Sequence, residues 1–124
     1  MQLDIQALYF DMTPGIEGAI TRAAEQHMDR FDHAVKKLTV RVYDTNGLRG
    51  GVDKGCRIHS DLGRARALVV EAVDEDLYTA ISRAFEKAER ATSGRLQRQR
   101  RPTDRRLRAT IRRGLEPMVA QPLG

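Results

Sequence analysis

Residues 68–88, LVVEAVDEDLYTAISRAFEKA, decide the fold because the spacing of their apolar residues changes from that of a strand to that of a helix. The first part predicts a half-buried strand over 65–73, since one face of it is apolar at every second position. This inward face consists of Leu68, Val70 and Ala72. The acidic run 74–76 then stands where the dipole of a following helix favours negative charge. The stretch therefore predicts a strand that leads directly into a helix.

Two amphipathic helices are predicted, one on each side of the middle of the chain. The first begins at Pro14, where Thr13 can cap it and the missing N–H of proline would be unpaired anyway, and it extends to about Phe31. The second extends from residue 77 to about Ser93 or beyond. Each carries one apolar stripe at helical spacing, which predicts a single buried face. The stripes consist of Ile16, Ile20, Ala23, Ala24, Met28 and Phe31 in the first helix, and of Leu77, Ile81, Ala84, Phe85 and Ala88 in the second.

Three further strands precede residue 65. Alternating apolar residues predict strands over 2–7 and 38–43, and a third strand over 54–60 ends at the turn 61–63. The glycine-rich stretch 44–53 is predicted to be a loop. The order β-α-β-β-β-α makes the first two strands parallel through a right-handed crossover. Both helices must cover one sheet face to bury their stripes. We therefore predict an α/β protein of the α+β kind, a four-stranded mixed sheet with two helices packed on one face.

Charge is distributed unevenly along the 124 residues, whose net charge is +5. From Arg95 onward nine arginines face only Asp104 and Glu116, a net charge of +7, so the preceding residues carry a slightly negative charge. We predict a folded domain over 1–94 and an arginine-rich, disordered tail over 95–124. Such a tail favours a polyanionic partner, most simply nucleic acid, over a merely solvated charge run.

The composition also bears on location. The sequence has no apolar run of about 18 residues that would span a membrane, and its first ten residues lack the basic start and apolar block of a secretion signal. Its single cysteine, Cys56, cannot form an intrachain disulfide. We therefore expect a cytoplasmic protein without a membrane partner.

Three segments resemble the ribosome hibernation promoting factor and ribosome-associated translation inhibitor family. They are Thr13–Pro14, the run Glu75–Ile81 (EDLYTAI) and the continuation Lys87–Arg90 (KAER). Together with the element order, the resemblance covers about residues 2–93. It implies a fold similar to double-stranded-RNA-binding domains. It also implies a partner, the small ribosomal subunit and its ribosomal RNA, and binding between head and body where tRNA and mRNA would lie.

The resemblance also implies which side chains contact RNA. Family members use basic residues on both helices, and Arg22, Lys87 and Arg90 occupy matching positions. The chain departs from the family through the acidic residues of its first helix, Glu17, Glu25 and Asp29, and through its arginine-rich tail. We expect no extra C-terminal domain of the kind with which long members pair ribosomes, and therefore a monomer that does not pair ribosomes on its own.

The spacing of the basic residues supports a nucleic-acid site independently. At 100° per residue, Arg83, Lys87, Arg90 and Arg98 fall within about 80° of one another, beside the apolar stripe of the second helix. Arg22, Gln26 and Arg30 flank the stripe of the first. If the helices pack side by side, the two positive edges would line one groove that tracks phosphates. The alternative is a solvated charged face. The predicted RNA-binding residues are Arg22, Arg30, Arg83, Lys87, Arg90, Arg95 and Arg98.

Catalytic and metal sites are not predicted. Cys56 and His59 lie three apart on a strand and so point to opposite faces, which means that they cannot share a metal ion. Cys56 is interpreted as a small core residue. His27 and His33 have no acidic or nucleophilic companion at useful spacing. Tyr78 is interpreted as a partly buried ring rather than a surface that stacks on a base. The glycines at 47, 50 and 51 lack the Gly-Lys-Ser/Thr ending of a phosphate loop. We expect no enzyme, no cofactor, no metal and no small-molecule substrate.

Three functions compete at this stage. The first is a hibernation factor that silences translation under stress or in stationary phase by excluding tRNA and mRNA from the small subunit. The second is a general RNA-binding module whose affinity comes from the basic tail. The third is a regulator that docks another protein through the acidic surface of the first helix.

Overall fold

The computed structural model describes residues 1–44, 53–64 and 66–112, with side chains through Arg98. The predicted order β-α-β-β-β-α is confirmed. A short 3-10 turn, Asp29–Phe31, continues the first helix. The elements are β1 (Gln2–Leu8), α1 (Pro14–Met28), β2 (Lys37–Asp44), β3 (Lys54–Asp61), β4 (Leu68–Asp74) and α2 (Leu77–Arg112).

The four strands form one mixed sheet in the order β1-β2-β3-β4. β1 pairs with β2 in parallel, and the other pairs are antiparallel, as the element order predicts. The register aligns Ile5, Val40, Ile58 and Val70 in one row across the sheet. Because side chains alternate along a strand, this row and its neighbours two residues away share the inward face. The predicted inward face of β4 is confirmed, since Leu68 and Ala72 are buried.

The core lies between that sheet face and the two helices. α1 buries Ile16, Ile20, Ala24 and Met28, which are four of its six predicted stripe residues. Phe31, in the 3-10 turn, is buried as well. α2 buries Ala80, Ile81, Ala84, Phe85 and Ala88. The opposite sheet face carries exposed side chains, so both helices cover one face, and the predicted fold class is confirmed.

Two predicted connections have different outcomes. In the turn after β3, Gly63 has φ +74° and donates its N–H to Asp61 Oδ1 at 2.9 Å. A positive φ strains most residues but not glycine, so this turn is placed where the sequence predicts it. Residues 45–52 of the predicted glycine-rich loop lie outside the described residues.

α2 continues to Arg112, past the predicted start of the tail. Arginine and glutamine are good helix formers, so the composition permits this continuation. The chain divides into two compact units between Thr92 and Ser93. The division into a binding domain over 1–94 and a disordered tail over 95–124 stays a prediction, and residues 113–124 lie outside the described part.

Replacing Thr13 by alanine should lower the free energy of unfolding by about 1 kcal/mol. Thr13 Oγ1 accepts a hydrogen bond from the N–H of Ile16 at 3.1 Å, which satisfies one of the free donors at the start of α1. Urea denaturation measures the loss. Thr13→Ser keeps the acceptor and should stay within a few tenths of the parent; an equal loss in both variants would contradict the capping role.

Candidate nucleic-acid interface

Glu89 of α2 joins the two helices through two side chains from the end of α1. His27 Nδ1 lies 2.7 Å from Glu89 Oε1, and Arg30 Nη2 lies 3.2 Å from Glu89 Oε2. The Arg30 guanidinium also lies over the Phe31 ring, 4.6 Å from its centroid. Glu89 therefore marks the side of α2 that faces α1. The prediction that His27 lacks an acidic companion is wrong, because its partner lies 62 residues away in the sequence.

Two other predicted cations of α2 contact β4 instead. Arg83 Nη1 lies 3.2 Å from Asp74 Oδ2, at the end of β4. Lys87 Nζ donates to the backbone carbonyl of Glu71 at 2.9 Å. On a helical wheel, Arg83 stands about 120° and Lys87 about 160° from Glu89, at 100° per residue. They therefore lie on the side of α2 away from α1.

The prediction that both positive edges line one groove is consequently wrong. The cations form two separate surfaces, which we name by their helices. The α1 edge consists of Arg22 and Arg30, and the α2 edge consists of Arg83, Lys87 and Arg90. The buried stripe of α2 packs between these surfaces, and the charged side chain by which α2 contacts the end of α1 is the acid Glu89.

The members of the two edges differ in how freely they can meet a ligand. Arg22 is exposed, and its guanidinium lies over Gly18, where an added Cβ would come within 3.1 Å of it. The side chains of Arg30 and Arg83 are 59% and 60% exposed despite their ion pairs. Arg90 is exposed. Surface ion pairs of this kind contribute about 1 kcal/mol or less, so a phosphate can displace them.

Arg95 and Arg98 belong to the second compact unit, from Ser93 onward, and lie on the continued α2. Arg98 is exposed, and a Cβ added at Gly94 would lie 3.5 Å from its Nη1. Arg95 is half-buried and has interactions within the chain. Their assignment to RNA binding stays a prediction.

The junction between the helices should respond to pH through Glu89. The hydrogen bond with His27 and the nearby charge of Arg30 hold the pKa of Glu89 below its usual value. A folded-state pKa below the unfolded value stabilises the fold above the unfolded pKa, and this stabilisation is lost as the pH falls through the folded-state pKa. We expect Glu89→Gln to lower the unfolding free energy at pH 7 but to match the parent at acid pH, below the folded-state pKa. Urea denaturation across this range measures the difference, and Glu86→Gln on the exposed side of the same helix is the control. A pH-independent difference would contradict the ion-pair role.

The remaining sequence predictions about chemistry concern three side chains. Cys56 is buried, and burial raises the pKa of its thiol to about 12, so it is a protonated core residue as predicted. His59 is exposed on the opposite sheet face. Tyr78 is 48% exposed, so the choice between a partly buried ring and a stacking surface stays a prediction. Within the described ranges, no group of three or more His, Cys, Asp or Glu side chains is arranged to hold a metal ion.

The sequence analysis did not predict a cationic cluster on the open sheet face. Arg41, Arg57 and His59 line a depression of about 350 Å³ there, together with Thr39 and Val69. The alternation of β2 and β3 indicates that these residues point away from the core. It does not give the register between the strands, and the register is what brings Arg41 and Arg57 together.

The fold and its surfaces define a class: a small α+β domain with cations on both helices and on the open sheet face. Residues 3–100 match the Sigma 54 modulation protein / S30EA ribosomal protein family, and the chain belongs to it. This confirms the resemblance described from the sequence, and it places the chain among ribosome-associated proteins. A search of the curated proteins finds no match.

Two solved structures share the fold. A ribosomal subunit interface protein from Coxiella burnetii has a TM-score of 0.68 at 12% identity, over 78% of this chain and 99% of that one. The N-terminal domain of Protein Y from Thermus thermophilus has a TM-score of 0.61 at 22% identity, over 73% of this chain and 94% of that one. In the part of the chain that the structure describes, no helix is both long and apolar enough to cross a membrane.

Proposed function

We propose that this chain is a ribosome hibernation factor that binds the small ribosomal subunit between head and body. There it would exclude tRNA and mRNA sterically and so inhibit translation in the cytoplasm under stress or in stationary phase. The observation that carries the proposal is the family match over residues 3–100, which includes all of the sheet but Gln2 and the part of α2 with Arg83, Lys87 and Arg90.

The chemistry of the surface suits ribosomal RNA. RNA duplexes are recognised mainly by shape and by their phosphates, so exposed cations on a rigid body suffice without base-specific side chains. The α2 edge lies on the side of α2 away from α1, so we expect the α1 edge and the α2 edge to contact different RNA segments. An RNA-walled cleft offers such segments on more than one side. The proposed action requires neither catalysis nor a cofactor, only the volume of the body.

Competition with tRNA tests the proposal. Purified small subunits are loaded with labelled tRNA and a short mRNA, and the chain is added at increasing concentration before filter binding. We expect tRNA to be released as one copy of the chain binds per subunit. At higher concentrations of the chain, tRNA should remain unbound. Binding of the chain alongside fully retained tRNA would contradict the steric mechanism.

A general RNA-binding module remains the competing function, because nine arginines follow Gly94. A chain ending at residue 94 distinguishes the two. The hibernation proposal predicts that this shortened chain still binds small subunits, with a smaller salt dependence because fewer phosphates are neutralised. Loss of subunit binding in the shortened chain would favour the general module, provided that the full-length chain binds free duplex RNA as well as it binds subunits.

A further inference from the structure

The open face of the sheet carries a depression that is separate from both helical edges. It occupies about 350 Å³ and is lined by Thr39, Arg41, Arg57, His59 and Val69. All five side chains point away from the core, because they alternate with the buried residues of β2, β3 and β4. The helices therefore cannot cover it.

Two arginines meet at the centre of this depression. Arg41 and Arg57 are direct cross-strand partners in the antiparallel pair of β2 and β3. Like charges at such positions destabilise a sheet. Arg41 Nε donates to the neutral Gln6 Oε1 at 2.9 Å. Among the described residues, no carboxylate oxygen lies within 4 Å of a nitrogen of either guanidinium, so neither arginine forms an ion pair there.

The acid beside Arg57 forms its hydrogen bond with a tyrosine rather than with the arginine. Glu71 is the cross-strand partner of Arg57 on β4. Its Oε2 accepts a hydrogen bond from the Tyr43 hydroxyl, which reaches across β3. The Tyr43 ring lies over Gly55, where any side chain would overlap it. Burial and the bond to Glu71 raise the pKa of Tyr43 to about 12, so the hydroxyl remains a donor at neutral pH.

We propose that the depression binds a phosphate of an RNA backbone, as a second RNA contact on the face opposite the helices. Two guanidinium groups offer paired N–H donors in the geometry that phosphate accepts, and the anion would relieve their mutual repulsion. Thr39 and His59 add donors at the rim. The lining contains no Phe, Tyr or Trp, which favours the backbone over a stacked base. This inference rests on the proposed function, since a body in an RNA-walled cleft has RNA on both faces.

The test compares two double variants of the full chain that remove the same charge. Arg41→Gln/Arg57→Gln removes the arginines of the depression, and Lys36→Gln/Arg64→Gln removes two exposed cations near the β3–β4 turn. Affinity for small subunits is measured from low to moderate salt. We expect the first variant to bind about ten-fold more weakly, with a salt dependence reduced by about one to two phosphate contacts. The control should change less than about two-fold. Equal behaviour of the two variants would overturn the proposal.

A second measurement separates this inference from the proposed function. Amide NMR signals of the full chain are followed during titration with a single-stranded RNA decamer, and in parallel with inorganic phosphate. Saturable shifts at residues 39, 41, 57 and 59 with the RNA, absent in Arg41→Gln/Arg57→Gln, would support the site even if small subunits did not bind. Shifts at these residues with inorganic phosphate but none with the RNA would overturn RNA as the occupant. The thermal midpoint of the double variant should equal or exceed that of the parent, because a repulsive pair is removed; a lower midpoint would assign the arginines a structural role instead.

Discussion

Replacing Arg83, Lys87 and Arg90 together by glutamine is expected to weaken association with the small subunit by about 100-fold at near-physiological salt. Hydrogen bonds to charged groups contribute about 1.5–3 kcal/mol each, and the three residues form one surface, so their losses need not add fully. The salt dependence should also fall by about two to three phosphate contacts. Glutamine keeps a donor for Asp74 and for the Glu71 carbonyl, so the fold should be retained.

The control for this triple variant is Lys36→Gln/Arg64→Gln/Arg66→Gln, which removes three cations outside α2. Sedimentation of each variant with purified small subunits measures the effect. We expect the control to bind within about three-fold of the parent. If both triple variants weaken binding equally, net charge rather than the α2 edge determines association. An unchanged association of the α2 variant would exclude this edge as an RNA contact.

Phe85→Ala should lower the free energy of unfolding by about 3–5 kcal/mol, which is a large part of the stability of a small domain. Phe85 is fully buried between α2 and the sheet, and its ring stacks on His27 with a centroid distance of 6.4 Å. Removal of the Phe85 ring leaves a cavity where the two helices meet. It also removes the packing of the His27 ring, which is the partner of Glu89. Urea denaturation measures the loss, and the dependence of the unfolding free energy on urea concentration should stay unchanged.

Ser82→Ala is the control for Phe85→Ala, because Ser82 lies on the same helix and is exposed. It should change the unfolding free energy by no more than about 0.5 kcal/mol. A loss below about 1 kcal/mol for Phe85→Ala would show that the helices are not held by this core. A change in the urea dependence of the unfolding free energy for Phe85→Ala would mean that the compactness of the denatured or native state has changed or that unfolding is not two-state.

The fold could be predicted because its evidence is local. Each signal is contained within one element. The signals are the period of two around Val40 and around Val70, the apolar stripes that include Ile20 in α1 and Phe85 in α2, and the helix start at Thr13 and Pro14. The crossover rule then fixes which strands are parallel. These steps need no knowledge of which side chains meet across the fold.

The candidate site was predicted less well because it depends on contacts between elements. The positions of Arg83 and Lys87 beside the apolar stripe follow from helical spacing. The spacing does not say whether that side faces α1 or β4, and the structure places it against β4. His27 and Glu89 are 62 residues apart, and Arg41 and Arg57 meet only through the strand register. Such pairs become visible only when the elements are assembled.

The α1 edge and the α2 edge are two separate surfaces, and this separation bears on how RNA would be bound. A single groove with cations on both walls would have indicated one RNA strand held between the helices. The described geometry instead presents cations on several faces of one compact body, which suits a position enclosed by RNA. Membership of the ribosome-associated family carries the proposal, and the cations indicate how binding would be achieved.

Electron cryomicroscopy of small subunits incubated with the full chain tests the central claim most directly. We predict density for the β-α-β-β-β-α body between head and body of the subunit, in the volume that tRNA and mRNA would occupy, with Arg83, Lys87 and Arg90 against ribosomal RNA. Density for the body anywhere else on the subunit, or density for residues beyond Gly94 alone, would contradict the account.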